Sequence, residues 1–295
     1  MKMLGKFHLG KQKSDGIKKF LQLLERLKMW NSSKKVIQIR QAQHSLQLTW
    51  VINNICTNHC SYCPSDLNSG SNHHYDWGHT KTFIERLIKR YPKIHVSISG
   101  GEPTLSPFLP ELIELFYNSG HTVGITSNGA RSARYIREIS KYLSYIVFSW
   151  HPQYDDPKLL EKAVTAAENT HVAIRVMMDS RYWDKAQERY HKFCEIESIR
   201  VEPVRILAEM AGKHVGDDYS ESQLQWFTEN PGKNASIFEM KDRNPYWRQA
   251  VLGSDFYYDD GTVDQLGDPN HLVSSQQTDF RGWACNIGLE SLFIH

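Results

Sequence analysis

Three cysteines fall within eight residues of this 295-residue chain, in the stretch NNICTNHCSYCPSD (Asn53 to Asp66), and the two others are Cys194 and Cys285. Cys56, Cys60 and Cys63 form a C-x3-C-x2-C pattern. On a wrapped loop, such spacings let all three sulfurs face one inorganic centre. A chain this long with so few cysteines has no disulfide framework to build, so reduced thiols holding a metal are the better reading. Structural zinc closes its tetrahedron with a fourth ligand. His59 lies between the first two cysteines, so a Cys3His zinc site in a non-enzymatic binding module is one reading. A cubane iron-sulfur cluster also usually takes four cysteines. With three, one iron lacks a protein ligand and is open to a chelating small molecule.

The elements that must position this loop alternate between two periods. Short β-rich runs occupy 46 to 53, 94 to 99, 121 to 127, 145 to 150, 171 to 178 and 198 to 204, each bounded by polar or turn residues. Between them lie amphipathic patterns: Phe83, Ile84, Leu87, Ile88; Leu109, Leu112, Ile113, Phe116; Tyr135, Ile136, Ile139, Leu143; and Leu160, Ala163, Val164, Ala167. Repeated strand, helix, strand predicts an α/β fold with right-handed crossovers and a parallel sheet. Six units are enough for a partial (β/α)6 TIM-like barrel, and an open doubly wound sheet fits the period nearly as well. Either way the ligand site sits at the carboxyl ends of the strands. The thiol loop follows the first strand, SGGEPT (99 to 104) the second, TSNGA (126 to 130) the third and SWHP (149 to 152) the fourth, so four polar loops share one mouth.

Three parts are expected: a basic leader (1–44), the core (45–209) and a small α+β C-terminal extension (210–295). The chain is 40% hydrophobic and 23% charged with a net charge of +2. No apolar run approaches the roughly 20 residues needed to span a bilayer, and the start lacks the apolar core of a secretion signal, so a cytoplasmic protein is expected. Lysine and arginine dominate the first 40 residues, where Ile17, Phe20, Leu21, Leu24 and Leu27 recur at helical spacing behind Ser14. That leader reads as a helix packed on the body, with a membrane-surface or nucleic-acid-binding arm as the alternative. DFYYDDGTVDQL reads as a hairpin turning at Asp260-Gly261. His73, His74 and His79 lie in a Ser/Asn/Gly-rich stretch without tight ligand spacing and read as a solvated loop. Cys194 falls on a helical pattern and reads as a small buried hydrophobe.

CTNHCSYC, with Tyr62 in the aromatic place, resembles the C-x3-C-x-aromatic-C signature of the radical S-adenosylmethionine (radical SAM) enzymes, and GGEP (Gly100, Gly101, Glu102, Pro103) resembles that family's motif after the second strand. The resemblance covers roughly Thr49 to Val204. It implies a partial barrel in which Cys56, Cys60 and Cys63 hold a 4Fe-4S cluster whose fourth iron is chelated by S-adenosylmethionine (SAM). An electron from a flavodoxin- or ferredoxin-like donor then cleaves SAM to methionine and a 5'-deoxyadenosyl radical, which abstracts hydrogen from a substrate. By position, the resemblance assigns Tyr62 to the adenine and the GGEP backbone and Glu102 to the methionine amino group. It puts Ser127, Asn128, Ser149 and His151 near the ribose or carboxylate, Arg175 at the carboxylate, and Glu202 with Val204 at the adenine pocket. For the serines, Asn128 and His151, turn or strand-end hydrogen bonds are the competing reading; for Arg175 it is a structural ion pair, and for Gly100 and Gly101 a conformational role. The resemblance names no catalytic residue on the protein itself. GWACNIGLESLFIH resembles the start of a SPASM or Twitch auxiliary-cluster region, with Cys285 as its first cysteine and the further cysteines absent. It implies a peptide or small-molecule substrate, with RNA modification as the second hypothesis on account of the basic leader.

Overall fold

The computed structural model describes residues 35–41, 46–68, 70, 76–154, 156–167, 170–207, 214–230, 232–233, 254–267 and 291–294. Among these, the strands are β1 (Val36–Gln41), β2 (Leu46–Val51), β3 (Ile94–Ser99), β4 (Thr122–Ser127), β5 (Tyr145–Trp150), β6 (His171–Met177), β7 (Arg200–Val204), β8 (Ser254–Tyr258), β9 (Val263–Gly267) and β10 (Ser291–Ile294). The α-helices are α1 (Trp77–Arg90), α2 (Leu109–Asn118), α3 (Ala133–Ser140), α4 (Pro157–Ala166), α5 (Trp183–Cys194) and α6 (Glu221–Glu229). They fall in two compact units.

The larger unit is a seven-stranded sheet in the order β10-β2-β3-β4-β5-β6-β7, parallel at every pairing. A doubly wound sheet reverses its strand order at a switch point. Here β2 to β7 advance without reversal, and right-handed crossovers therefore keep the connecting helices on one face. The result is the partial TIM-like barrel. Its outer face is apolar: Leu48, Val96, Ile146, Ile174 and Val176 are fully buried, as is the helical stripe Leu109, Leu112, Ile113 and Phe116. Each such side chain contributes about 1.5–3 kcal/mol. Asp76, Ser132 and Asp156 cap α1, α3 and α4 by accepting from backbone N–H groups one turn on, which satisfies donors the helix cannot pair itself. Phe83 departs from the expected apolar stripe of α1 and is exposed, while Ile84 is fully buried. His79 lies in the first turn of α1, its ring 3.1 Å from Asp76, and not in a loop.

Strand alternation turns the other residues inward, and that face is polar. Tyr145 lies flat over Gly124, where a Cβ would come within 2.0 Å of its ring, and its hydroxyl sits 2.9 Å from Ser97. His95 stacks on Tyr145 and meets Thr122 at 2.9 Å. Two rows higher, Ser149, Arg175 and Glu202 stand side by side in register on β5, β6 and β7. Lys233 bridges Val201 on the β7 edge, and its ammonium donates to the carbonyls of Cys194 and Ile196, favourable at the negative end of α5.

The smaller unit joins β1 antiparallel to β8, and β8 antiparallel to β9. Val36 and Phe256 form its core. The β8–β9 hairpin turns at Asp260-Gly261 as expected, with Gly261 at φ 82° and the Asp260 carboxylate accepting from the Thr262 amide and hydroxyl. Residues 1–34 of the basic leader, with its expected helix, and His73, His74 and Cys285 lie outside the described residues, whereas 35–41 of the leader carry β1.

Candidate functional site

At the carboxyl end of β2 the chain enters the cysteine loop. Cys60 is buried and Cys56 and Cys63 are partly so. The Cys56 sulfur accepts from the Asn58 amide at 3.3 Å and from the Asn128 side chain at 3.7 Å. Asn128 also donates to Thr57 at 2.8 Å, so the loop after β4 holds the loop after β2.

The GGEP loop backs directly onto the cysteine loop. The Gly101 amide donates to the Asn53 carbonyl at 2.9 Å and the Glu102 amide to that of Ile55 at 2.6 Å. Gly100 has φ 145°, and a Cβ there would lie 2.5 Å from the Asn53 carbonyl oxygen. At Gly101 it would lie 2.3 Å from that of Ile55. Both glycines are dictated by this close approach of backbone to backbone. Pro103 is buried and opens a 3-10 turn.

Glu102 is 1% exposed. One carboxylate oxygen accepts from the Thr104 amide (3.1 Å), the Thr104 hydroxyl (2.6 Å) and the Ser127 hydroxyl (2.8 Å), and the other from the Asn128 amide (2.6 Å). Burial pushes its carboxyl above the ordinary range, and these donors pull it back. The side chain thus fastens the loops after β3 and β4 together.

Across the mouth, the Tyr62 hydroxyl meets Nδ1 of His151 at 2.6 Å, with the two rings stacked at 6.0 Å. Burial lowers His151 to about 4 and raises the Tyr62 phenol, which stays protonated. The Tyr154 hydroxyl accepts from the His59 amide at 2.9 Å, and Gln153 exchanges hydrogen bonds with Ser61. After β6, Asp179 is fully buried and takes the fork of Arg181, whose guanidinium also donates to Ser61 at 2.8 Å. Asn58, Asn128, Ser149, His151 and Tyr154 line a small pocket at this end of the barrel.

The structure therefore brings Tyr62, Gly100, Gly101, Glu102, Pro103, Ser127 and Asn128 together around the cysteines. Arg175 and Glu202 pair with each other at 3.0 Å, in register with Ser149. Cys194 is elsewhere, half-buried in the last turn of α5 beside Tyr190 and Lys233. Sequence reasoning missed Asn53, Thr104, Gln153, Tyr154, Asp179 and Arg181. The visible signal for the last two was an Asp directly after a strand with an Arg two residues on.

Among the described residues no three His, Cys, Asp or Glu side chains converge on a single metal ion. The three sulfurs are nonetheless neighbours. Burial, and then the charges of Cys56 and Cys63, push the Cys60 thiol up to about 12, and burial raises Cys56. A cubane, with four irons and four sulfides between its ligands, holds cysteine sulfurs farther apart than one ion does. Three neighbouring thiols, one of them flanked by two N–H donors, fit that larger group. Metal binding would replace the thiol protons that burial otherwise retains.

A family model described as the Radical SAM superfamily matches residues 50–199. The chain belongs to that superfamily and is an enzyme; the cofactors that come with the family are a 4Fe-4S cluster and SAM, in place of zinc. The chain is 25% identical over 183 residues to an S-adenosylmethionine-dependent nucleotide dehydratase of Thermoplasmatales archaeon (strain ISO4-H5), a match covering 57% of this chain and 63% of that protein. Among solved structures it is similar to native anSMEcpe with bound AdoMet and Kp18Cys peptide, with 18% identity, TM-score 0.43 and coverage of 55% of this chain and 51% of that one. It is also similar to Streptococcus suis SuiB bound to precursor peptide SuiA, with 14% identity, TM-score 0.44 and coverage of 82% and 60%. No described helix is long and apolar enough to cross a membrane.

Proposed function

We propose that Cys56, Cys60 and Cys63 hold the cluster and that the enzyme abstracts a hydrogen atom from a small-molecule or peptide substrate inside the partial barrel. When bound, the reduced cluster and SAM together supply a 5'-deoxyadenosyl radical. The protein's own residues bind, orient and shield. Gly100 and Gly101 present backbone to the methionine amino group, Ser127, Asn128 and Ser149 serve its ribose or carboxylate end, and Tyr62, seated against neutral His151, covers the adenine. Arg175 is placed for the carboxylate, and Glu202 for the far wall of the SAM pocket. A flavodoxin- or ferredoxin-like protein delivers the electron. The core, 45–209, carries this chemistry, and 210–295 extends it.

The observation that carries the reading is the interlock of the cysteine and GGEP loops, with the glycines forced by backbone approach and Glu102 fastening the GGEP loop to Ser127 and Asn128. The similarity to a protein named a nucleotide dehydratase favours the small-molecule class over the peptide. The RNA hypothesis rests on the leader and gains no observation. The test is anaerobic reconstitution with iron and sulfide, reduction with dithionite and assay for 5'-deoxyadenosine from SAM. Turnover is expected; a fully loaded protein that forms none overturns the proposal.

A further inference from the structure

On the inner wall of β6 and β7, Arg200 is a charge that the proposed SAM contacts leave unused. Glu202 accepts from Arg175 Nε at 3.0 Å with one carboxylate oxygen and from an Arg200 terminal nitrogen at 2.6 Å with the other. Two guanidinium groups thus share one carboxylate, leaving the trio with a net positive charge among the described residues. Arg200 remains 50% exposed among the described residues, with room for a further ligand. Their direction follows from the register: Val201, between Arg200 and Glu202, is fully buried on the helix side, so its neighbours face inward. Arg200 pairs with Ala173 and Arg175 with Ser149, so Arg200 stands one side-chain row deeper than the rim. Deeper still, His171 pairs with Tyr145, and its Nδ1 is buried with no hydrogen-bond partner among the described residues. Burial, then the charge of Arg200, keeps this imidazole below its usual range and so neutral.

We propose that this wall binds the phosphate group of a small substrate, with Arg200 as the principal contact and the orphaned His171 nitrogen beside it. A tetrahedral oxyanion matches the remaining guanidinium N–H groups, which present donors in a planar fork. A neutral imidazole offers one further donor at no charge cost. The depth is right as well: a substrate anchored one row below the rim leaves its other end directed toward the mouth where SAM is cleaved. This assignment rests on the proposed function for its catalytic meaning, but the binding itself does not.

Phosphorus NMR line broadening of inorganic phosphate on the anaerobic full chain, against acetate and chloride at equal ionic strength, tests it. Wild-type protein is expected to bind phosphate at least tenfold more tightly than acetate. R200Q should weaken phosphate binding tenfold or more and R200K by less, whereas E202Q, which removes the competing carboxylate, should tighten it severalfold. A merely structural ion-pair network would lose stability in R200Q and E202Q alike without moving phosphate affinity in opposite directions. The proposal is overturned if phosphate does not bind, binds no better than acetate, or binds wild type, R200Q and E202Q equally. Formation of 5'-deoxyadenosine by the wild-type protein is scored separately, so failure of the radical chemistry and failure of the phosphate site give different results.

Discussion

The two faces of the seven-stranded sheet solve opposite problems. Outside, Leu48, Ile98, Ile146, Phe148 and Val176 meet helices through contacts that are apolar, interchangeable in kind and far from solvent. At the mouth, polar side chains meet specific partners: Glu102 with Ser127 and Asn128, Tyr62 with His151, Arg181 with Asp179 and Ser61. Area buried sets stability, and it tolerates exchange at constant volume. Position sets function, where one displaced donor leaves its partner unpaired. A substitution outside should therefore cost folding while sparing chemistry, and one at the mouth should do the reverse.

Changes at the mouth and outside it can separate the two faces, beginning with the largest effect. Cys60→Ala should abolish 5'-deoxyadenosine formation and sharply lower bound iron while circular dichroism stays that of the parent; loss of secondary structure with the iron would erase the distinction. Phe116→Ala, on the outer face, should lower unfolding free energy by about 3–5 kcal/mol in denaturant titration, with turnover per bound cluster unchanged at low temperature. Gly101→Ala forces a Cβ to within 2.3 Å of the Ile55 carbonyl oxygen, so the cysteine loop must move. SAM affinity is expected to fall at least tenfold, read by equilibrium dialysis, for a smaller stability loss than Phe116→Ala. Glu102→Gln sharpens the point, because its amide NH2 would replace an acceptor of the Thr104 or the Asn128 backbone N–H, neither of which can accept in turn. One to two of these hydrogen bonds should be lost, about 2–3 kcal/mol, and wild-type SAM affinity in that variant would mean the loops do not depend on the clamp.

The smallest effect is a pH slope. His151 titrates in the fold near 4 and ordinarily near 6.5, so between those values the unfolded chain binds the extra proton and stability falls as pH falls. The residue as a whole is only partly buried, which holds the slope to about 1 kcal/mol per pH unit or less. Stability of wild type and His151→Phe, measured from pH 7 to pH 4, should differ by that slope; parallel curves would remove His151 from the buried set.

Strand periodicity was the most legible part of the fold. All six predicted β runs lie on β2 to β7 with ends within two residues, because alternation or an apolar run is a local property. The strands β1 and β10 were not foreseen. VIQIRQ and SLFI are short, and their partners are remote: Val36 meets Tyr258 and Ser291 meets Gln47. Nothing near either segment announces such a pairing. The choice between an open sheet and a barrel was likewise undecidable from periodicity and was settled by strand order. At the mouth, the cysteines and GGEP were legible because each motif is contiguous. Asn53, Gln153, Tyr154, Asp179 and Arg181 were not, since their roles depend on which loops abut after the sheet curls. Glu102 shows the limit most clearly: the motif placed it at the site, and only the fold showed that its carboxylate is occupied by Thr104, Ser127 and Asn128.

The parallel pairing of β10 with β2 has a consequence for biosynthesis. Ribosomes make the cysteine loop, the GGEP turn and the rest of the core strands before the segment that shields the β2 edge. Until Ser291–Ile294 emerges, the nascent chain carries an uncovered row of amide and carbonyl groups beside a thiol-rich loop. Such an edge invites association with other chains. Timely delivery of that closing strand, or a chaperone standing in for it, is what this connectivity demands of the cell.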